Sequence, residues 1–363
     1  MLLYALLAVV IVNTAYFILF SKFSFLKPTP KKSPHTFPIS LIVCAKNEAE
    51  NLKKNVPLWL DQDYPDFELI LIDDASSDDT REIIEAFARD NEKVHTVLIE
   101  NNETFWSNKK YSLTLGIKRA YNKRMLFTDA DCAPASRNWL RLMTASLDQE
   151  TQIVLGYGAY QHRKGLLNAL IRYETFITGV QYFSYALAGM PYMGVGRNLA
   201  YTSEVFYNNR GFMSHMNIPS GDDDLFVNES ATGENTAICI DPEAFTYSSP
   251  KTTFGDWFRQ KRRHVTTAHF YKPKHRALLA GYYLSNLLFW LLLVVSLILL
   301  DWKIPVAILI FRCLLQYSFV GSAARQLKES KLTPYLPLLD LFLVFFQLTI
   351  FISNKLAKPK RWK

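Results

Sequence analysis

Two apolar runs that stop on carboxylates constrain this chain more than any other feature. Leu69-Ile-Leu-Ile72 ends at Asp73-Asp74, and Met125-Leu-Phe-Thr128 ends at Asp129-Ala-Asp131. Short continuous apolar runs of this kind belong in strands buried on both faces. Ile39–Ala45 and Val94–Ile99 are similar runs. Between the four lie stretches that read as helices, over Asn47–Leu60, Asp78–Arg89 and Lys109–Tyr121, with Leu52, Val56 and Trp59 at helical spacing in the first. Strand and helix alternate, which predicts an α/β fold built on a doubly wound, mostly parallel sheet. Such sheets bind ligands in the crevice beyond the carboxyl ends of their strands. Carboxylates gathered there repel one another unless something positive sits among them. A divalent cation carrying a nucleotide diphosphate meets that need, because hard cations take oxygen ligands.

The rest of the chain sets limits on this domain. It has 363 residues, a formal charge of +8 and 49% hydrophobic residues, unevenly spread. Residues 1–20, Leu278–Leu300, Ile304–Val320 and Tyr335–Ser353 are almost wholly apolar, each near the roughly 20 residues that span a bilayer. The first has no basic residue ahead of it and no small-residue cleavage site, so it reads as an uncleaved anchor. Lys22, Lys27, Lys31 and Lys32 follow it, placing the central domain in the cytoplasm by the positive-inside rule. Pro28, Pro30, Pro34 and Pro38 make a stiff spacer. The expected organisation is an anchor over 1–21, a basic linker over 22–37, a cytoplasmic domain over 38–275, membrane segments over 276–354 and a basic tail over 355–363, in a multi-pass protein of the cell membrane. If all three late segments cross, that basic tail lies on the side away from the domain. Ile304–Val320, interrupted by Arg312, is therefore expected to be interfacial or re-entrant. Cys44, Cys132, Cys239 and Cys313 show no pairing pattern, which excludes a zinc or disulfide framework. The basic excess lies beside apolar segments, so anionic lipid headgroups account for it and nucleic acid does not.

Beyond residue 150 the rhythm changes. Ile153–Ala159 reads as a further strand and Leu166–Leu187 as a long aromatic helix. Gly194-Val-Gly196-Arg-Asn198 reads as a turn into a strand, and Phe254–Phe270 as a basic, aromatic helix at headgroup level. No GxGxxG or GxxxxGK[ST] occurs, so hydride transfer and P-loop hydrolysis lose support. Asp129 and Asp131 are close enough in sequence to hold one divalent ion, against the plainer reading of a strand-closing turn. One of Asp73 and Asp74 can accept from a nucleobase or ribose, or both can cap the next helix. The run Asp222-Asp223-Asp224 follows Gly221 and meets the apolar Leu225-Phe-Val227. An acid among acids tends to a raised pKa, which suits a general base. Gln260-Lys-Arg-Arg263-His264 offers Arg for a diphosphate, or simply a membrane-surface helix.

Taken in order, Ser40 to Glu48, Asp73-Asp74, Lys109, Asp129-Ala-Asp131, Gly221 to Leu225 and Gln260 to His264 resemble the membrane-bound family 2 glycosyltransferases. The resemblance implies the GT-A fold over about residues 38–275 and inverting transfer from a nucleotide sugar, a UDP-sugar in the family's common case. The acceptor is then a lipid-linked or glycan hydroxyl at the membrane surface, as in the making of cell-envelope polysaccharide or glycolipid. It places Ala45, Glu48 and Asp74 at the nucleoside and Lys109 near nucleotide or phosphate. It gives Asp131 and Asp129 to Mg²⁺ or Mn²⁺. Asp222, or Asp223, becomes the catalytic base, and Gln260, Arg263 and His264 meet the diphosphate and acceptor. Two positions depart from the family pattern: Gly221 stands where its Glu is usual, and His264 where the Trp of QxxRW stands, which weighs against polymerisation. The alternatives are a polyprenyl-phosphate sugar transferase, which needs no hydroxyl-activating base, and a non-catalytic membrane scaffold that binds a nucleotide sugar.

Overall fold

The computed structural model describes residues 1–27, 37–100, 109–218 and 220–357. Lys31, Lys32, Pro28, Pro30, Pro34 and the last six residues of the basic tail lie outside them. The described chain forms two compact units, one of residues 37–161 and 189–250, the other of residues 1–27, 162–188 and 251–357. The stretch 38–275 is thus divided between them.

The first unit is a sheet domain. Its strands are β1 (Ile39–Ala45), β2 (Phe67–Asp73), β3 (Val94–Leu98), β4 (Arg124–Asp129), β5 (Cys132–Pro134), β6 (Ile153–Leu155), β7 (Gly158–Tyr160), β8 (Leu199–Thr202), β9 (Thr236–Ile238) and β10 (Thr246–Ser248). Its helices are α2 (Ala49–Leu60), α3 (Thr80–Asp90), α4 (Lys109–Arg119), α5 (Trp139–Thr144), α7 (Ser203–Asn208) and α8 (Asp224–Ser230). The main sheet runs β3-β2-β1-β4-β8-β6-β9, parallel except for β8, and β5-β10-β7 forms a smaller sheet. Leu41, Val43, Leu69, Leu71 and Leu126 are fully buried in its core with Leu52, Val56, Trp59 and Trp139. Register decides what this core presents. Cys44 pairs with Asp129 and Ala45 with Asp73, so the carboxylate ends of β2 and β4 reach the same edge. Gly116 lets α4 lie close on the sheet: a Cβ there would fall 2.3 Å from Ile72 Cδ1.

The run 153–159 is not one strand. It divides into β6 and β7, in different sheets, with Gly156 and Tyr157 between them. Asn198, fully buried, lies across the break: it donates through Nδ2 to the carbonyls of Tyr157 (3.1 Å) and Ala244 (2.8 Å) and accepts from Trp139 Nε1 (3.0 Å). A Cβ on Gly156 would fall 2.6 Å from the Asn198 amide, so only glycine passes there.

The second unit is helical: α1 (Leu2–Ser24), α6 (Leu166–Leu187), α9 (Phe254–His264), α10 (Pro273–Leu299), α11 (Lys303–Gln326) and α12 (Leu336–Leu356). Among the described residues, α1, α10, α11 and the stretch Ser330–Leu356 are long and apolar enough to cross a membrane. Helix α9 ends at His264, and a separate 3₁₀ turn covers Thr267–Phe270, so the expected single helix is shorter. Trp257 stacks on Phe346 with ring centroids 4.1 Å apart. Helix α11 runs unbroken through Arg312. Arg312 is 1% exposed and fully engaged on one edge: Nε donates to Asn13 (2.9 Å), and Nη2 to Asn286 (2.7 Å) and Asp340 (2.8 Å). Partners from α1, α10 and α12 replace water around the buried guanidinium.

Candidate active site

The turns after β1 and β2 are laced together. Asn47, at a left-handed φ of 57°, donates its N–H to Ser76 Oγ (3.0 Å) and accepts from Ser77 N–H (2.8 Å). Glu48 N–H donates to Thr80 Oγ1 (2.8 Å), and the Glu48 carboxylate accepts from Asn51 (2.5 Å). The two acids after β2 part company here. Asp73 is fully buried, accepts from Ser76 N–H (3.0 Å) and pairs with Arg81 (3.1 Å), a purely local role. Asp74 turns the other way, accepts from Ser112 Oγ on α4 and lies 3.8 Å from Lys46 Nζ. Burial above all raises its pKa, over the opposing pull of Ser112 and Lys46.

One turn before Ser112 on α4 stands Lys109. Its ammonium lies 2.7 Å from Asp129 Oδ1 and 3.0 Å from Asp222 Oδ2. These three side chains and Asp223 line one cleft with Leu113, Phe127, Gly196 and Tyr201. The Cys44 thiol sits at the centre of the same field: burial first, then Asp74, Asp222 and Asp129, raise its pKa against Lys109. Ala45 is its neighbour at the end of β1. So Ala45, Asp74, Lys109, Asp129, Asp131, Asp222 and Asp223, distant in sequence, meet at one edge of one sheet. Gln260 and Arg263, half-buried, and exposed His264 lie on α9, in the helical unit.

The acid run behaves differently from the expectation that crowding raises the pKa of Asp222. Burial does push that carboxyl up, but the charge and hydrogen bond of Lys109 more than reverse this and hold it below the usual range. Asp223 is the raised one, pushed up to about 7 by burial and by Asp222 and Asp224. Both Asp223 oxygens serve the backbone: Oδ2 accepts from Gly196 N–H (2.7 Å) and Oδ1 from Asp224 N–H (2.7 Å). Asp223 thus caps α8 and clips it to the turn before β8. Lys109 answers both acids: burial pulls it down, and Asp129 and Asp222 together raise it well above the ordinary lysine range.

Asp129, Asp131 and Cys132 offer ligand atoms within 4.8 Å of one another. Cys132 is buried, donates its S–H to Asp131 Oδ1 (3.3 Å), and has a pKa raised well above normal by burial and by the two acids. It stays a thiol, which leaves two carboxylates for an oxygen-seeking ion such as Mg²⁺ or Mn²⁺. The residues present fit that group. Arg197 had no role in the sequence analysis. Its guanidinium stacks 4.4 Å above Tyr160 and donates to Ser248 Oγ (3.0 Å). Burial disfavours its charge, but Tyr160, Cys132, Asp131 and Asp129 overcome this and raise its pKa. The Gly196-Arg-Asn198 turn was visible as a turn; nothing local to it pointed to carboxylates on another strand.

Residues 40–187 match the family model described as Glycosyl transferase family 2. Glycosyltransferase AglE of Haloferax volcanii is 30% identical over 104 residues, covering 28% of this chain and 33% of that one. Poly-beta-1,6-N-acetyl-D-glucosamine synthase of Staphylococcus epidermidis is 32% identical over 123 residues, covering 33% of this chain and 29% of that one. The chain spans about a third of the length of these curated relatives. A mannosyltransferase from Pyrobaculum calidifontis, solved in complex with GDP-Man and Mn²⁺, superposes with a TM-score of 0.59 at 18% identity, over 90% of this chain and 99% of that one. At that identity the likeness speaks to the fold. Residues 40–187 are thus similar to family 2 glycosyltransferases, and the sheet domain has a GT-A-like fold.

Proposed function

We propose that this protein transfers a sugar from a nucleotide-diphosphate sugar to an acceptor hydroxyl, with inversion, at a membrane surface. The observation that carries the reading is Lys109 bridging Asp129 and Asp222 at the carboxyl edge of the sheet. That edge is where open α/β sheets bind ligands. Ala45, Glu48 and Asp74 receive the nucleoside, with Asp74 ready to accept from a base or ribose donor. Asp131 and Asp129 hold the divalent ion, which supplies charge neutralisation on the leaving diphosphate when bound.

Asp222 is the base and Asp223 supports it, because both oxygens of Asp223 are spent on backbone N–H groups. Lys109 holds Asp222 in its weakly basic, ion-paired form. A donor diphosphate gives that ammonium another anion to turn to, and Asp222, relieved of its partner, recovers the basicity to take the hydroxyl proton. Arg197, whose charge Asp131 and Asp129 favour, steadies those two carboxylates. The roles of Gln260, Arg263 and His264 toward diphosphate and acceptor rest on the family resemblance, as does a UDP-sugar donor. The four apolar helices favour a lipid-linked acceptor at the cell membrane, with the sheet domain cytoplasmic.

Purified full-length protein is screened against a panel of nucleotide sugars with Mn²⁺ present, and donor hydrolysis is read. At least one donor is turned over, and excess EDTA abolishes turnover. Full activity in EDTA removes the metal from the mechanism; no turnover of any donor favours a scaffold. Asp222→Asn retaining activity favours a phosphate acceptor, as in a polyprenyl-phosphate sugar transferase.

A further inference from the structure

Lys110 follows Lys109 on α4 and does something different. Successive helical residues point about 100° apart, so while Lys109 enters the cleft, Lys110 runs into the interior. It is 1% exposed, and its ammonium donates to the backbone carbonyls of His215 (2.7 Å) and Ile218 (2.9 Å). Those carbonyls lie on the segment after α7, His215 at the end of a 3₁₀ turn (Met213–His215), a few residues ahead of Gly221-Asp222 in the sequence. The far side of the segment is pinned to α8: Ser214 Oγ donates to the Glu229 carboxylate (2.6 Å), and His215 Nδ1 lies 3.3 Å from it. His215 is itself 3% exposed.

Burying a lysine ammonium is costly unless it is well paired. Burial pulls Lys110 down to about 8, while Asp222, Asp224, Asp223 and Glu229 favour its charge. Two carbonyls at 2.7 and 2.9 Å need a donor group that reaches both from one point, which a rotatable ammonium on a long stem provides.

We propose that Lys110 is a positioning residue: its buried ammonium clamps the His215 and Ile218 carbonyls and so fixes the segment that delivers Asp222 to the acceptor hydroxyl. The functional half of this inference rests on Asp222 being the base. The adjacent lysines then divide one task, Lys109 holding the Asp222 side chain and Lys110 the backbone behind it.

The test compares full-length wild type, Lys110→Met and Lys110→Arg by hydrogen exchange and by steady-state turnover on the donor the nucleotide-sugar panel selects. In Lys110→Met, amides of 212–218 exchange about tenfold faster or more, as expected of a released local unit, while amides of β1 and β4 keep their protection. Its kcat falls about 10²-fold, the size of effect a small misplacement produces, with donor KM and Mn²⁺ binding unchanged; Lys110→Arg restores most of both. Unchanged exchange overturns the clamp. Faster exchange with wild-type kcat overturns its positioning role. If β1 loses protection in Lys110→Met, the same readouts on Lys110→Gln decide. Should wild type turn over no donor, the transferase reading fails separately, and the exchange data still decide the clamp.

Discussion

Lys109 and Arg312 are both cations held by carboxylates, in opposite surroundings. Arg312 is enclosed among apolar helices, with one acid, Asp340, two asparagines and the Phe289 ring 4.4 Å below it. Trp290 Nε1 donates to the same Asp340 (3.2 Å). In that network the arginine's charge is balanced by Asp340, and its members come from α1, α10, α11 and α12, with Asn286, Phe289 and Trp290 all on α10. Lys109 keeps 32% of its side chain exposed and faces two acids, with Asp74 and Asp223 also within its field. Here negative charge is in excess, and the site opens to solvent. A balanced, enclosed pair ties elements together; an unbalanced, open one is prepared for a ligand that brings the missing charge.

The sharpest way to break this contrast is to remove a carboxylate from the open site. Asp131→Asn abolishes Mn²⁺ binding and lowers transfer by about 10³-fold or more, since several kcal/mol of charge stabilisation go with the ion. Manganese titration by electron paramagnetic resonance, alongside turnover, checks both. Asp222→Asn comes next: kcat falls by about 10²–10⁴ while donor affinity by calorimetry stays near wild type. A collapse of donor affinity makes Asp222 a binding residue.

The closed network predicts a different signature. Arg312→Leu leaves the Asp340 carboxylate buried without its counter-charge and destabilises the protein by about 3–5 kcal/mol, whereas Arg312→Met with Asp340→Leu recovers most of that loss. Thermal unfolding in detergent measures both, and wild-type stability in the single variant removes the fastening role.

The smallest effect concerns pH. Asp223 is raised to about 7 in the fold, against about 3.9 for a free aspartate. Its contribution to stability is therefore fully present below about 4 and is lost as pH rises through 7. Wild type loses more stability between pH 5 and pH 8 than Asp223→Asn does. Equal loss in the two removes Asp223 as the titrating group.

Much of the sheet domain was legible because its signals are local. β1 and β2 and the helices after them fall within two residues of their expected limits, since buried parallel strands read as unbroken apolar runs. Asp129, Asp131 and Asp222 were legible as candidates because each acid cluster interrupts or meets an apolar element. The difference between Asp73 and Asp74 was not, because neighbouring residues on a strand end point to opposite sides and only packing says which side is the core. Asn198, Arg197 and Lys110 escaped for a related reason: their partners lie on other elements, more than 35 residues away. Arg312 read as an interruption because its partners, Asn13, Asn286 and Asp340, come from three other helices.

Order along the chain by itself determined the alternation of strand and helix, the four apolar helices and which acids end strands, because periodicity and run length act over a few residues. Tertiary structure alone decided that Lys109 stands between Asp129 and Asp222, that Asp223 rather than Asp222 carries the raised pKa, and that Lys110 is buried. Ion pairing and desolvation depend on distances of a few ångströms between residues remote in sequence, and only the folded sheet sets those distances.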